Sequence, residues 1–163
     1  MRNRITVILF AALFLFCGSK VAHSQDFGIT FGAGYGSEIE SIGIQAGALY
    51  SFTESIRAAV DFVYFLPKDN GGVDLTWTEI NANAHYLIVN DESMKFYGLA
   101  GLNYAMLTAE FMGFSSSASE VGLNIGAGFE YMLGPTMSIY AETKYVLGDA
   151  DQFGGFGGIR FYF

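Results

Sequence analysis

Beyond its first two dozen residues this 163-residue chain has no cysteine, because the single one, Cys17, falls among them. A chain without thiols can have no disulfide framework, no cysteine metal site and no thiol nucleophile. Basic residues are also scarce. Past residue 24 only Arg57, Lys68, Lys95, Lys144 and Arg160 stand against sixteen Asp and Glu. That balance excludes the basic footprint that nucleic-acid binding requires. A disordered acidic chain is excluded in turn, since 52% of the residues are hydrophobic and 17% aromatic. Finally, no apolar run reaches the ~20 residues of a membrane-spanning helix. A chain this apolar without such a run can still cross a bilayer if its apolar residues alternate with polar ones along strands.

Residues 1–24 carry the expected features of a cleaved signal peptide. Arg2 and Arg4 form a positive start, Ile5 to Phe16 an uncharged apolar stretch, and Ala22-His23-Ser24 a small-residue site before Gln25. Lipid attachment at Cys17 is the competing reading, and the bulky Phe16 before it opposes cleavage there. The mature domain is then expected to be residues 25–163.

Period-two alternation marks eight segments in that domain. They run over about 27–36, 41–52, 56–66, 75–88, 95–107, 120–133, 137–147 and the last ten residues, GGFGGIRFYF. In the sixth, Val121, Leu123, Ile125, Ala127, Phe129 and Tyr131 alternate with Gly122, Asn124, Gly126, Gly128 and Glu130. In the last, Ile159, Phe161 and Phe163 oppose Arg160 and Tyr162. Several segments exceed the usual soluble strand and suit the ~9–11 residues of a tilted transmembrane strand. Thr53-Glu54-Ser55, Asn90 to Ser93 and Gly134-Pro135-Thr136 read as tight turns. The links near Glu38, from Pro67 to Asp74, from Thr108 to Ser119 and from Asp149 to Gln152 read as mostly longer, acidic loops.

A secreted β-sandwich would also alternate, but with charges and lysines on its outer face. Here one face is aliphatic with aromatics near its ends, and the other is rich in Gly, Asn and isolated charges. That is the inverted pattern of a barrel in lipid. Short turns at one end and long loops at the other match periplasmic and external sides, with both termini periplasmic for an even strand number. Tyr50, Phe52, Tyr86, Phe96, Tyr131, Phe161 and Phe163 would form one interfacial belt, and Tyr35, Tyr64, Tyr104 and Tyr145 part of the other.

With this signal segment, these eight segments and a terminal Phe163, the chain resembles the small eight-stranded outer-membrane β-barrels, the OmpA/OmpX-like group. The resemblance spans the whole expected mature domain but is architectural. It implies an all-β, eight-stranded antiparallel transmembrane barrel in the outer membrane of a Gram-negative-type bacterium. It also implies insertion by the barrel-assembly machinery, with Phe161 and Phe163 as the assembly signal. The peptidoglycan-binding domain of larger relatives is not expected here.

The expected lumen face carries Arg57, Lys95, Lys144 and Arg160 together with Asp61, Glu79, Glu130 and Glu142, and the lone mature histidine, His85. About eight strands enclose only enough space for side chains, so these charges are expected to pair as a salt-bridge plug. Hairpins turning near Asp151 and Asn90 would set Glu142 opposite Arg160 and His85 opposite Lys95. A narrow pore or carrier for small or hydrophobic solutes is the alternative, suggested by Phe65, Trp77 and the glycines of the lumen face. A lipid-modifying or proteolytic enzyme is weaker, because His85 sits at the opposite end from Ser115, Ser116 and Ser117. The aspartates of 69–74 and 149–151 lack calcium-loop spacing. No metal or other cofactor is expected. The leading expectation is a non-enzymatic barrel with a structural and surface-interaction role, its partners being outer-membrane lipid and an unidentified loop ligand.

Overall fold

The computed structural model describes residues 27–69, 74–111, 114–149 and 151–163. The expected signal peptide lies outside them. Eight strands follow one another: β1 (Phe27–Gly36), β2 (Ser41–Ser51), β3 (Ile56–Asp69), β4 (Asp74–Asn90), β5 (Met94–Phe111), β6 (Phe114–Gly134), β7 (Met137–Leu147) and β8 (Gln152–Tyr162). Each pairs antiparallel with its sequence neighbour, and β8 closes on β1 from Gly28↔Tyr162 to Gly36↔Gly154. The last residue joins the closure, its Phe163 amide donating to the Phe27 carbonyl at 2.9 Å.

The stagger of the barrel can be followed residue by residue. Paired residues lead from Gly128 through Glu142, Phe156, Gly34, Gly43, Phe65, Trp77 and Leu107 to Ala118. One circuit therefore returns to β6 ten residues from its start, at Ala118 instead of Gly128. A closed sheet with such a shear must tilt its strands by roughly 35–45°.

Alternation decides the two faces. Outward side chains along the spanning part of the strands are apolar apart from Thr143 of β7, as with Ile42 and Ile44, Val60 and Phe62, Leu123 and Ile125, and Ile159 and Phe161. An apolar surface of this extent would be untenable in water; it fits the hydrocarbon of a membrane. The expected belt aromatics are all exposed on this surface, with Tyr50 and Phe52 in edge contact at 5.0 Å between centroids.

Of the two longest expected loops, 108–119 is strand over its described residues 108–111 and 114–119, which continue the β5–β6 ladder to Phe111↔Phe114. The described ends of 67–74 carry the β3–β4 ladder to Asp69↔Asp74. The strands run on through backbone pairing alone, since burial no longer enforces a side-chain pattern there. Beyond the rim, every residue from Phe114 to Val121 is exposed on both faces. The β5–β6 hairpin therefore projects beyond the rim, with β4 still paired along β5 to Asp74↔Glu110.

Inside, the lumen is layered. At the loop end Ile39, Val63, Phe65, Trp77, Ala105 and Phe156 form an apolar cluster, joined by Leu75 and Leu107. Ile39 comes from the β1–β2 turn, where Glu40 adopts φ 50° and turns the chain back over the rim. At the end that carries the termini, Leu49, Ala59 and Tyr162 pack together, beside Leu87, Tyr97 and Leu99. Between these layers lies the polar interior. Glycines make room for its large rings: a Cβ on Gly128 would stand 2.2 Å from the Tyr97 ring, and one on Gly32 2.2 Å from the Tyr140 hydroxyl.

Candidate functional site

The polar interior is built around Glu130 of β6, which has no exposed surface. Its Oε1 accepts from both Arg57 and Arg160, and its Oε2 from the hydroxyls of Tyr162 and, at 3.3 Å, Ser138. One carboxylate thus holds two guanidinium groups. Arg160 reaches a second carboxylate, Glu142, at 3.2 Å, and Tyr97 donates to that same Glu142 oxygen at 2.8 Å. Arg57 has no second carboxylate among the described residues. It donates instead to His85 Nδ1 at 3.1 Å and to the Tyr162 hydroxyl at 3.2 Å. Aromatic faces complete the cage: Arg57 lies 4.5 Å from the Tyr97 centroid and Arg160 4.2 Å from that of Tyr140.

A second cluster sits nearer the loops. Lys144 Nζ lies 3.3 Å from Glu79 Oε2, and Gln152 also donates to Glu79. Asp61 accepts from Gln45 and Asn81, each at 3.0 Å. Asn81, Asn83, Asn103 and Asn124 interlock beside it, with Asn124 donating to Asn83 at 2.8 Å and to Asn81 at 2.9 Å. Tyr140 ties the clusters together, donating to Gln45 while its ring lies against Arg160. Between them remains a cavity of only about 10 Å³, lined in part by Asp61, His85, Glu142 and Arg160. That is the scale of one water molecule.

All nine residues expected on the lumen face point inward, but their expected pairings are corrected. Glu142 stands opposite Phe156, and Arg160 opposite Ser138. The β7–β8 hairpin pivots at Asp149 and not at Asp151, which slides the register by four residues. Arg160 still reaches Glu142 because its long side chain crosses the ladder diagonally. His85 is opposite Leu99 in β5, and Lys95 is opposite Asn90. The bulge between Leu87 and Val89 and a later turn displace that register. The rung partner of His85 on the other side is Arg57. Lys95 lies half-buried with its ammonium 4.6 Å from the Tyr162 centroid, and among the described residues it makes no ion pair.

The chemistry open to this site is restricted. His85 stacks flat on Tyr97, with centroids 4.6 Å apart and planes 7° from parallel. Since its Nδ1 accepts from Arg57, its proton resides on Nε2, which has no partner. A base holding no hydroxyl cannot activate one. Ser115, Ser116 and Ser117 lie exposed in the projecting ribbon at the other end of the molecule. Among the described residues no group of three or more His, Cys, Asp or Glu could hold a metal ion.

The apolar layers were the part of the interior not assigned from sequence. Val63, Leu99, Val146 and Phe156 share the parity of the lumen charges on their own strands, and Leu49 that of the buried Gln45 on β2; that parity was the available signal.

The model of the outer membrane protein β-barrel domain matches residues 2–161. A search of curated proteins by sequence finds no match. Among solved structures, Neisserial surface protein A superposes with a TM-score of 0.71 at 20% identity, covering 87% of this chain and 100% of that one. The N-terminal β-barrel domain of Pseudomonas aeruginosa OprF gives 0.69 at 16% identity, covering 86% and 100%. Ail, the attachment invasion locus protein of Yersinia pestis, gives 0.62 at 19% identity, covering 83% and 95%.

Proposed function

The chain belongs to the outer membrane protein β-barrel domain family, and we propose that it is a non-enzymatic member whose lumen is a salt-bridge plug and whose loop end contacts partners outside the cell. The filled interior carries this reading. Four acids and three cations are buried there and hydrogen-bonded to one another or to lumen amides and hydroxyls, and the cavity between their clusters is about 10 Å³. A buried charge that lost its partner would be costly, so such a network closes the lumen and does not slide apart to pass ions. The apolar cluster of Phe65, Trp77 and Phe156 adds a second closure above it.

Outward function then falls to the ends. The family supports placing the three short turns and both termini in the periplasm, with the loop end external. Residues 1–24 serve as the export signal in this reading. Phe161 and Phe163, exposed on the lipid face, serve as the signal to the barrel-assembly machinery. Ail has been captured with sucrose octasulfate, a heparin analogue. The loop end of the present chain carries Glu38, Glu40, Asp69, Asp74, Glu110, Glu120, Asp149 and Asp151 against Lys68 alone. Such a surface repels a polyanion, so its partner differs in charge.

Planar-bilayer recording of the purified full chain tests the plug. No steady conductance is expected at neutral pH; a stable ion current from the native protein would replace this reading with transport.

A further inference from the structure

The lipid face of this barrel is not evenly filled. Where β3, β4, β5 and β6 run side by side, an open groove of about 540 Å³ is cut into it, lined almost wholly by apolar atoms. Its floor is made of small residues, with Ala84 paired to Ala100 and Gly98 opposite Tyr86. Ile56 and Tyr86 form one wall and Ile125 the other, all three exposed. Gly98 is not there to relieve crowding, because a Cβ on it would meet no atom within 4 Å. Gly128 differs, since its Cβ would strike the Tyr97 ring.

The groove has a direction. Ile56 is the first residue of β3, beside the β2–β3 turn, whereas Ile125 lies well inside β6. The hollow therefore climbs obliquely from the turn end toward the middle of the membrane, which is the course of an acyl chain leaving its headgroup. Its volume is within the roughly 300–1,000 Å³ of small-molecule sites. The entrance carries charge of one sign. Asn90 ties the β4–β5 turn to the β2–β3 turn by donating to the Glu54 carbonyl at 2.7 Å, and the Leu87 amide donates to the Ser55 carbonyl at 2.8 Å. These bonds bring Glu54, Asp91 and Glu92, all exposed, to the side of the groove where Ile56 stands. Among the described residues the basic side chains toward this end, Arg57, Lys95 and Arg160, all turn into the lumen. An anionic headgroup is repelled there, while an ammonium finds three carboxylates.

We propose that this groove binds one acyl chain of a phospholipid with a primary-amine headgroup, an ethanolamine lipid, in the leaflet at the turn end. The chain lies over Gly98 and Ala100, and the amine donates to Glu54, Asp91 or Glu92. Any acyl chain can enter a hollow in a bilayer, so the groove supplies the place and the acids supply the selection. This site goes beyond the loop-end role proposed above and does not depend on it.

The test is native mass spectrometry of the full chain released from detergent, offered phosphatidylethanolamine and phosphatidylglycerol with identical acyl chains. The ethanolamine adduct should be favoured by about threefold or more, the scale of one exposed ion pair. Gly98→Leu fills the groove and should reduce that adduct at least about fivefold, as should Ala100→Leu on the same floor. Gly155→Leu is the control: its Cβ also meets nothing within 4 Å, but it lies on β8, away from the groove, and should leave the adduct unchanged. Heat-modifiable migration checks that each variant is folded. Neutralising Glu54, Asp91 and Glu92 together as Gln, Asn and Gln should level the two lipids without abolishing either. Equal binding of the two lipids by the native chain, an ethanolamine preference that survives neutralisation, or equal effects of Gly98→Leu and Gly155→Leu would overturn the proposal. A native dimer that Gly98→Leu dissolves would assign the groove to a second copy and also overturn it.

Discussion

Replacing Glu130 with Gln is the most informative single change to this barrel. Glu130 accepts from Arg57, Arg160, Tyr162 and Ser138, and none of the two guanidinium groups' charge reaches solvent. The amide has nearly the same shape, so packing is kept while the charge is lost. Arg160 would retain Glu142, but Arg57 would be left with His85 and Tyr162, neither of them anionic. Removing one partner of a buried pair costs about 3–5 kcal/mol. Glu142→Gln should cost less, about 1.5–3 kcal/mol, because it weakens charged hydrogen bonds while Arg160 keeps Glu130. Urea titration in lipid vesicles measures both, read through Trp77, the only tryptophan of the chain and a buried one. In the double-mutant cycle, Arg57→Met combined with Glu130→Gln should cost less than the two singles together by at least about 1 kcal/mol. Additive singles, or equal losses at Glu130 and Glu142, would refute the hub; they would mean that water reaches these charges and screens them.

Other expectations follow from the same geometry. Deleting Phe163 should lower the yield of folded barrel in heat-modifiable gel migration, since this residue closes β8 onto Phe27 and displays its ring to lipid. Ile125→Arg should destabilise by ~2–4 kcal/mol near the membrane midplane, as measured by the same urea titration. Gly128→Leu should cost about 1–3 kcal/mol through overpacking, because its first carbon already meets the Tyr97 ring. Glu40, bonded to Lys68 above the rim, is held below the ordinary value of 4.5 first by that hydrogen bond and then by the lysine's charge. A depressed acid contributes its tie above the ordinary value and loses it as pH falls through the folded one. Limited proteolysis of the β1–β2 turn should therefore accelerate only under strongly acidic conditions, and in Lys68→Met it should be fast at neutral pH as well.

The inside and outside of this barrel were legible in the sequence, whereas the contacts within it were not. Period two assigns every strand residue to a face, and β1 and β7 begin and end where alternation says they should. The β7–β8 register, by contrast, depends on which residue of an acidic, glycine-containing link is the pivot, and no local pattern distinguishes Asp149 from Asp151. An error of four residues leaves every side chain on its proper face, because four is a multiple of the side-chain period. Arg160 therefore stayed inside although its neighbours were wrong. The ribbons beyond the rim were lost for the opposite reason. Outside lipid and lumen nothing requires Ser115 to Ser119 to alternate, so a paired strand there looks like a loop.

The distribution of charge links these observations to function. Sixteen acids and five bases would give an unbalanced mature chain, yet the lumen takes four of each. Asp61, Glu79, Glu130 and Glu142 balance Arg57, Lys95, Lys144 and Arg160, so a region of low dielectric carries no net charge. Balance is an energetic requirement there, because an excess charge in the interior could be neutralised only by an ion drawn in from outside. Drawing in ions is the property of a selective pore. Eleven of the twelve remaining acids are instead placed at the two ends, Glu54, Asp91 and Glu92 at the turns and eight more around the loops. On the proposed reading, a wall that neutralises its interior and charges its rim is arranged to be read from outside.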